Sequence, residues 1–129
     1  MSITTPGISR KVITVGCSDD DREVLVGGNR MVDYSGRGPT AACICKPDLV
    51  APGCSVVSCS SRADKYTIKS GTSMSTPIVS GAVALLLERF PDMSNKDVKL
   101  RLRESSVDIG LPRNQQGWGL LDVGKMLER

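Results

Sequence analysis

Short apolar runs alternate with turn-forming residues over the first half of the chain. Residues 11–16 (KVITVG) are β-branched and close on glycine, the pattern of a buried strand. Residues 24–26 read as a short strand ending at Gly27-Gly28. Residues 32–34 lead into the turn-rich Ser35-Gly36-Arg37-Gly38-Pro39. Residues 48–51 make a second apolar strand, stopped by Pro52-Gly53. Residues 55–58 are a third, and residues 66–70 a fourth that delivers the chain to Gly71.

The period then changes. Between Pro77 and Phe90 the apolar positions are Ile78, Val79, Ala82, Val83, Ala84, Leu85, Leu86 and Leu87. They go nearly all the way round a helix, which is therefore expected to be buried on most sides. Pro77 suits the first turn of that helix, where its missing N–H is not needed, and Pro91 marks its end. Ser94 is the expected N-cap of a further helix, with Asp97 three residues on and Val98 and Leu102 as one apolar stripe. Residues 110–119 read as a loop and residues 120–127 as a short closing helix. Apolar strands without alternation, followed by helices, predict an α/β fold with a mainly parallel sheet. A helix apolar on all sides needs neighbours on all sides. The strands and helices at hand cover part of it, so the chain reads as part of a larger core.

Composition narrows the classes. A length of 129 residues favours one domain, with 40% hydrophobic and 24% charged residues and a net charge of +3. That charge is too small to suggest nucleic acid. Lys96, Lys99, Arg101 and Arg103 alternate with Asp97 and Glu104, the pattern of a solvated helix face. One Trp, two Tyr and one Phe argue against a base-stacking surface. The longest apolar run, residues 78–87, is interrupted by Ser80 and Gly81 and is too short to span a bilayer. No charged-then-apolar leader opens the chain. Met1-Ser2 followed by loop-like Thr4-Thr5-Pro6-Gly7 reads as a break within a longer chain. Asp19-Asp20-Asp21 reads as a solvated acidic turn. The five cysteines, at 17, 43, 45, 54 and 59, do not have a usual zinc spacing, and no histidine is present to assist. They read as small buried or loop thiols.

The candidate chemistry lies at Gly71-Thr72-Ser73-Met74-Ser75-Thr76-Pro77. A serine hydroxyl is a poor nucleophile until a base takes its proton, and its transition state needs donors for a developing oxyanion. A serine at a helix start meets the second need in part, because backbone N–H groups there are free and the helix dipole favours negative charge. Gly71 lets the backbone turn sharply and a substrate come close. By itself this pattern is more often that of an ordinary helix cap. It is not the G-x-S-x-G elbow, since position 75 is Ser.

The wider sequence decides between them. Residues 71–77, followed by Val79-Ser80-Gly81-Ala82, closely resemble the nucleophile segment of the subtilisin-like serine proteases, or subtilases (peptidase family S8). Residues 11–16 resemble the family's V-I-x-V-G strand. Tyr34-Ser35-Gly36-Arg37-Gly38-Pro39 is similar to its F-S-x-R-G-P turn. Lys46-Pro47-Asp48-Leu49-Val50-Ala51-Pro52-Gly53 resembles its K-P-D-I/V-x-A-P-G segment, and Gly117-Trp118-Gly119-Leu120-Leu121-Asp122 its closing glycine motif. These segments occur in the family's order over nearly the whole chain.

The resemblance implies the C-terminal portion of a subtilase catalytic domain over residues 1–129, with a partial subtilisin-like fold. It implies hydrolysis of peptide bonds through an acyl-enzyme, by an Asp-His-Ser triad in that order. On that match Ser73 is the nucleophile, its backbone N–H is one oxyanion donor, Gly71 and Thr72 bind substrate along the approach to the scissile bond, and Pro77 starts the central helix. The triad Asp and His and the oxyanion asparagine belong upstream of the V-I-x-V-G strand. Asn29, Asn95 and Asn114 sit in none of the right contexts, so no acid, base or oxyanion side chain is assigned. These residues alone are therefore expected to be inactive.

The implied partners are polypeptide substrates, not nucleic acid or membrane. No cofactor is assigned to these residues, although the resemblance allows calcium elsewhere in the protein. Family members are mostly secreted whereas the cysteines lean the other way, which leaves localisation open. Two other readings remain: a non-catalytic regulatory or pseudoprotease module, disfavoured by the intact serine motif, and a self-associating piece whose apolar helix, partly uncovered, makes a homo-oligomer.

Overall fold

The computed structural model of the chain describes residues 2–19, 30–31, 35–62 and 65–128. Its central sheet has the order β2-β1-β3, formed by Val15–Asp19 (β1), Arg30–Met31 (β2) and Leu49–Pro52 (β3). β1 and β3 are parallel, with Val15 opposite Leu49, and β2 is antiparallel to β1. Leu120 extends the sheet through an isolated parallel bridge to Val50.

The first strand starts later than its apolar run. The Thr14 N–H donates to Asp48 Oδ2 at 2.7 Å, and the Thr14 carbonyl accepts from the Asp48 N–H at 2.8 Å. A side chain thus takes the place of a ladder partner, and regular pairing begins at Val15. Asp19 ends β1 instead of opening a turn. Asp20 and Asp21, the strand expected at 24–26 with Gly27-Gly28, and residues 32–34 lie outside the described residues.

The third and fourth expected strands are Val56–Cys59 (β4) and Tyr66–Lys69 (β5). They pair with each other as an antiparallel hairpin, Val57 opposite Ile68. Among the described residues the parallel pairings are β1 with β3 and the Leu120–Val50 bridge, whereas β4 and β5 are antiparallel because a short connection can only join antiparallel neighbours.

The helix predicted from Pro77 starts five residues earlier, as Thr72–Arg89 (α1). The Gly71 carbonyl accepts the Met74 N–H at 2.9 Å and the Ser75 N–H at 3.3 Å, which closes a turn ahead of the proline. Pro77 thus lies inside α1, where it withholds the N–H that the Ser73 carbonyl would otherwise receive. Ser75, Val79, Ala82 and Leu86 are buried along one stripe against β1 and β3. The stripe is open at both margins: Leu85, on one side of it, is 49% exposed and Leu87, on the other, 37%.

Asn95–Ser105 (α2) has the expected cap. Ser94 accepts the Asp97 N–H while the Asp97 side chain accepts the Ser94 N–H, a complete capping box. Val98 and Leu102 are its buried stripe. The expected loop at 110–119 contains one helical turn, Arg113–Gln116 (α3), held because the Gln116 side chain accepts the Ile109 N–H at 2.9 Å. The closing helix shortens to Val123–Leu127 (α4), because Leu120 is spent on bridges to Val50 and Val107 and Asp122 caps the turn that follows. α1, α2 and α4 enclose Leu49, Leu86, Leu102 and Met126, all fully buried.

Candidate active site

β5 feeds the chain through Ser70 and Gly71 into α1, directly beside the end of β3. Three bonds join the two segments. The Gly71 N–H donates to the Gly53 carbonyl at 2.8 Å. The Ser75 hydroxyl, fully buried, donates to the Ala51 carbonyl at 2.9 Å. The Ser55 N–H donates to Ser70 Oγ at 2.7 Å. The end of β3 thus acts as a template for the turn that presents Ser73.

Gly71 has φ 153° and ψ 165°, a region open essentially to glycine alone. A side-chain carbon there would meet nothing closer than 3.8 Å. Glycine is required by the backbone, not by lack of room.

Ser73 is the second residue of α1 and is exposed. Among the described residues its hydroxyl has no hydrogen-bond partner, and neither its N–H nor that of Thr72 has an acceptor. No acidic side chain occupies the first turn and no side chain caps it. About half a positive charge is therefore concentrated at an uncapped helix start. Ser73 and Ser75, two apart on the helix, face opposite ways: one to solvent, one to β3.

Thr72 is half-buried, and its carbonyl accepts the Thr76 hydroxyl at 2.9 Å. Thr72 also forms part of the wall of a cleft of about 330 Å3, shared with residues 2–7, Thr14, Val15 and Gly36. That the loop at residues 2–7 would reach Thr72 was not legible, since it carries no periodic pattern. Gly36 and Gly53, by contrast, are motif glycines, and the need for close approach is a signal such glycines carry. A larger cleft, of about 610 Å3, lies at the far end of α1 around Phe90, Met93 and Arg101 and is lined by no serine, threonine or cysteine.

The family model described as the Subtilase family matches residues 1–119. The chain belongs to the subtilase family. It is 38% identical over 118 residues to the serine protease AprX of Bacillus subtilis (strain 168), covering 81% of this chain and 27% of that protein. To halolysin of Haloferax mediterranei it is 34% identical over 122 residues, covering 95% of this chain and 21% of the relative. Among solved structures, the Clostridium perfringens CspB protease superposes with a TM-score of 0.83 at 28% identity, over 98% of this chain and 28% of the other. This subtilase chain thus spans about a quarter of the length of these three proteins.

The cysteines stand apart from the serine turn in chemistry. Cys43, Cys45 and Cys59 are exposed thiols and Cys17 is buried beneath the turn. Among the described residues, two carboxyl groups held below their ordinary range are also remote from it in the chain. Asp97 is lowered first by the Ser94 hydroxyl and then by the Ser94 N–H. Asp108 is lowered by the Gly110 N–H and then by the Gln116 side chain.

Proposed function

We propose that the protein carrying this chain is a serine endopeptidase and that Ser73 is its nucleophile. The observation that supports this most directly is an exposed serine as the second residue of an 18-residue helix whose first two N–H groups, those of Thr72 and Ser73, are unclaimed among the described residues. An acyl-transfer oxyanion forming at Ser73 would find the Ser73 N–H and the positive end of α1 already oriented, with no reorganisation at the moment of reaction. Gly71, with no side chain, leaves the approach open, and the cleft beside Thr72 offers a place for the polypeptide next to the scissile bond. Gly71 and Thr72 are on this reading substrate-binding residues.

The sequence contains no histidine. The base that activates Ser73 and the acid that orients it come from outside these residues, as does any oxyanion side chain. The 129 residues by themselves carry the attacking atom and one backbone donor, and are inactive as an isolated piece.

A fluorophosphonate probe tests both halves of the proposal. The full-length protein is expected to label stoichiometrically, and Ser73→Ala to abolish labelling. The isolated 129-residue chain is expected to label no faster than free serine. Labelling of the full-length protein that survives Ser73→Ala would assign the nucleophile elsewhere.

A further inference from the structure

The segment Lys46-Pro47-Asp48-Leu49-Val50-Ala51-Pro52-Gly53 supplies a core strand, which accounts for its apolar middle but not for its final glycine. Gly53 is buried. Its φ lies outside the left-handed region, in contrast to Gly71, so its backbone does not call for glycine. Space does. A side-chain carbon at Gly53 would overlap Ser75 Oγ, lie 2.5 Å from Cys17 Sγ and lie 2.8 Å from the Gly71 carbonyl oxygen. Two of those three atoms belong to the turn that presents Ser73.

Both are structural supports of that turn. The Gly71 carbonyl is the acceptor that closes the first turn of α1, taking the Met74 and Ser75 N–H groups. Ser75 Oγ ties the same turn to Ala51. Gly53 also accepts the Gly71 N–H through its own carbonyl. A residue larger than glycine would have to push the Gly71 carbonyl and Ser75 away from β3 together. Ser73 lies between them in the chain, and neither its hydroxyl nor its N–H makes a hydrogen bond, among the described residues, to resist the shift.

We infer that Gly53 is a positioning residue for Ser73, acting through Gly71 and Ser75. The inference rests on the reading of Ser73 as the nucleophile. Gly53 touches no reacting atom; it sets where the hydroxyl and its N–H stand relative to groups supplied from elsewhere in the protein. A displacement near 1 Å at a reacting group costs about 100-fold in rate.

The test uses the full-length protein with Gly53→Ala, and with Ser75→Thr, which crowds the same contact from the helix side with one methyl. Leu102→Ala, a fully buried site in α2, serves as a control for plain destabilisation. For each folded variant, kcat, KM, the fluorophosphonate labelling rate and amide exchange of residues 70–76 are measured. Gly53→Ala and Ser75→Thr are expected to lower kcat and labelling by about 100-fold with KM within about threefold, and to speed exchange in residues 70–76 but not in α2. Leu102→Ala is expected to lower the melting temperature while kcat per folded molecule holds. If Gly53→Ala does not fold, Ser75→Thr decides. Unchanged kcat, or a loss matching only the folded fraction as in the control, would overturn the inference. Wild-type protein that does not label, or labelling that survives Ser73→Ala, would instead defeat the nucleophile reading. Amide exchange would then still report whether Gly53 holds the turn: unchanged exchange overturns that too.

Discussion

Asp48 and Lys46 meet out of water: Lys46 Nζ lies 2.6 Å from Asp48 Oδ2, with the two side chains 1% and 8% exposed. The same Nζ donates to the Val12 carbonyl at 3.0 Å, and Asp48 Oδ2 accepts the Thr14 N–H. Lys99, from α2, places a second ammonium 3.7 Å from Asp48 Oδ1. The pair thus fastens residues 12–14, β3 and α2 to one another, at the opposite end of β3 from the serine turn.

Removing one partner of a buried pair leaves an uncompensated charge, which costs about 3–5 kcal/mol. Asp48→Ala is expected to lose that much in urea unfolding, and Lys46→Met with Asp48→Leu together to recover most of it. A loss under about 1 kcal/mol for Asp48→Ala would mean that water reaches the pair.

Gly71→Ala forces a side chain into glycine-only backbone space and is expected to cost about 1–3 kcal/mol. Because the neighbouring space is open, the strain will be relieved by rotating the turn, so labelling of Ser73 in the full-length protein should slow as well. Wild-type stability together with wild-type labelling would show that the turn is not held in this conformation.

Acid should weaken the fold at two carboxyl groups. Hydrogen bonds from Ser94 hold Asp97 below its ordinary range, and those from Gly110 and Gln116 do the same for Asp108. A depressed folded-state pKa contributes stability that is fully present above the unfolded value, about 3.9, and is lost as pH falls through the folded value. Stability should therefore be flat above about pH 5 and decline below about pH 4. Asp97→Asn and Asp108→Asn should each start lower and decline less. Parallel pH profiles for wild type and variants would remove these two groups as the cause. Separately, Ser94→Ala should cost about 1 kcal/mol through loss of the cap.

The two margins of the buried stripe of α1, one bearing Leu85 and the other Leu87, carry apolar surface into solvent when these 129 residues are alone. The isolated chain is expected to self-associate through these margins, and Leu85→Lys with Leu87→Lys to weaken association by at least about tenfold. Sedimentation measures both. A monomer at every concentration, or an association untouched by the two lysines, would place the contact elsewhere or abolish it.

Local chemistry made several elements legible. β3, the hairpin strands and α2 follow from runs and caps whose causes are near in sequence: Pro52-Gly53 stops a strand, and Ser94 with Asp97 starts a helix. The start of α1 did not follow, because a proline is tolerated in a helix once the preceding turn is closed by other means. Here the Gly71 carbonyl closes it. The start of β1 was equally hidden, since the partner that replaces its first ladder bond is the Asp48 side chain, 34 residues away.

By itself the sequence determined that the candidate nucleophile is a serine two residues after a glycine, that no histidine accompanies it, and which motifs surround it in order. Only the tertiary structure decided that Ser73 stands inside the first helical turn with its N–H open, that Gly71 needs glycine for its backbone while Gly53 needs it for room, and that one stripe of α1 is covered while Leu85 and Leu87 beside it are exposed. The physical reason is separation along the chain. Residue type and spacing report local preferences, whereas a close approach between Gly53 and Ser75 exists only once β3 and α1 are brought together.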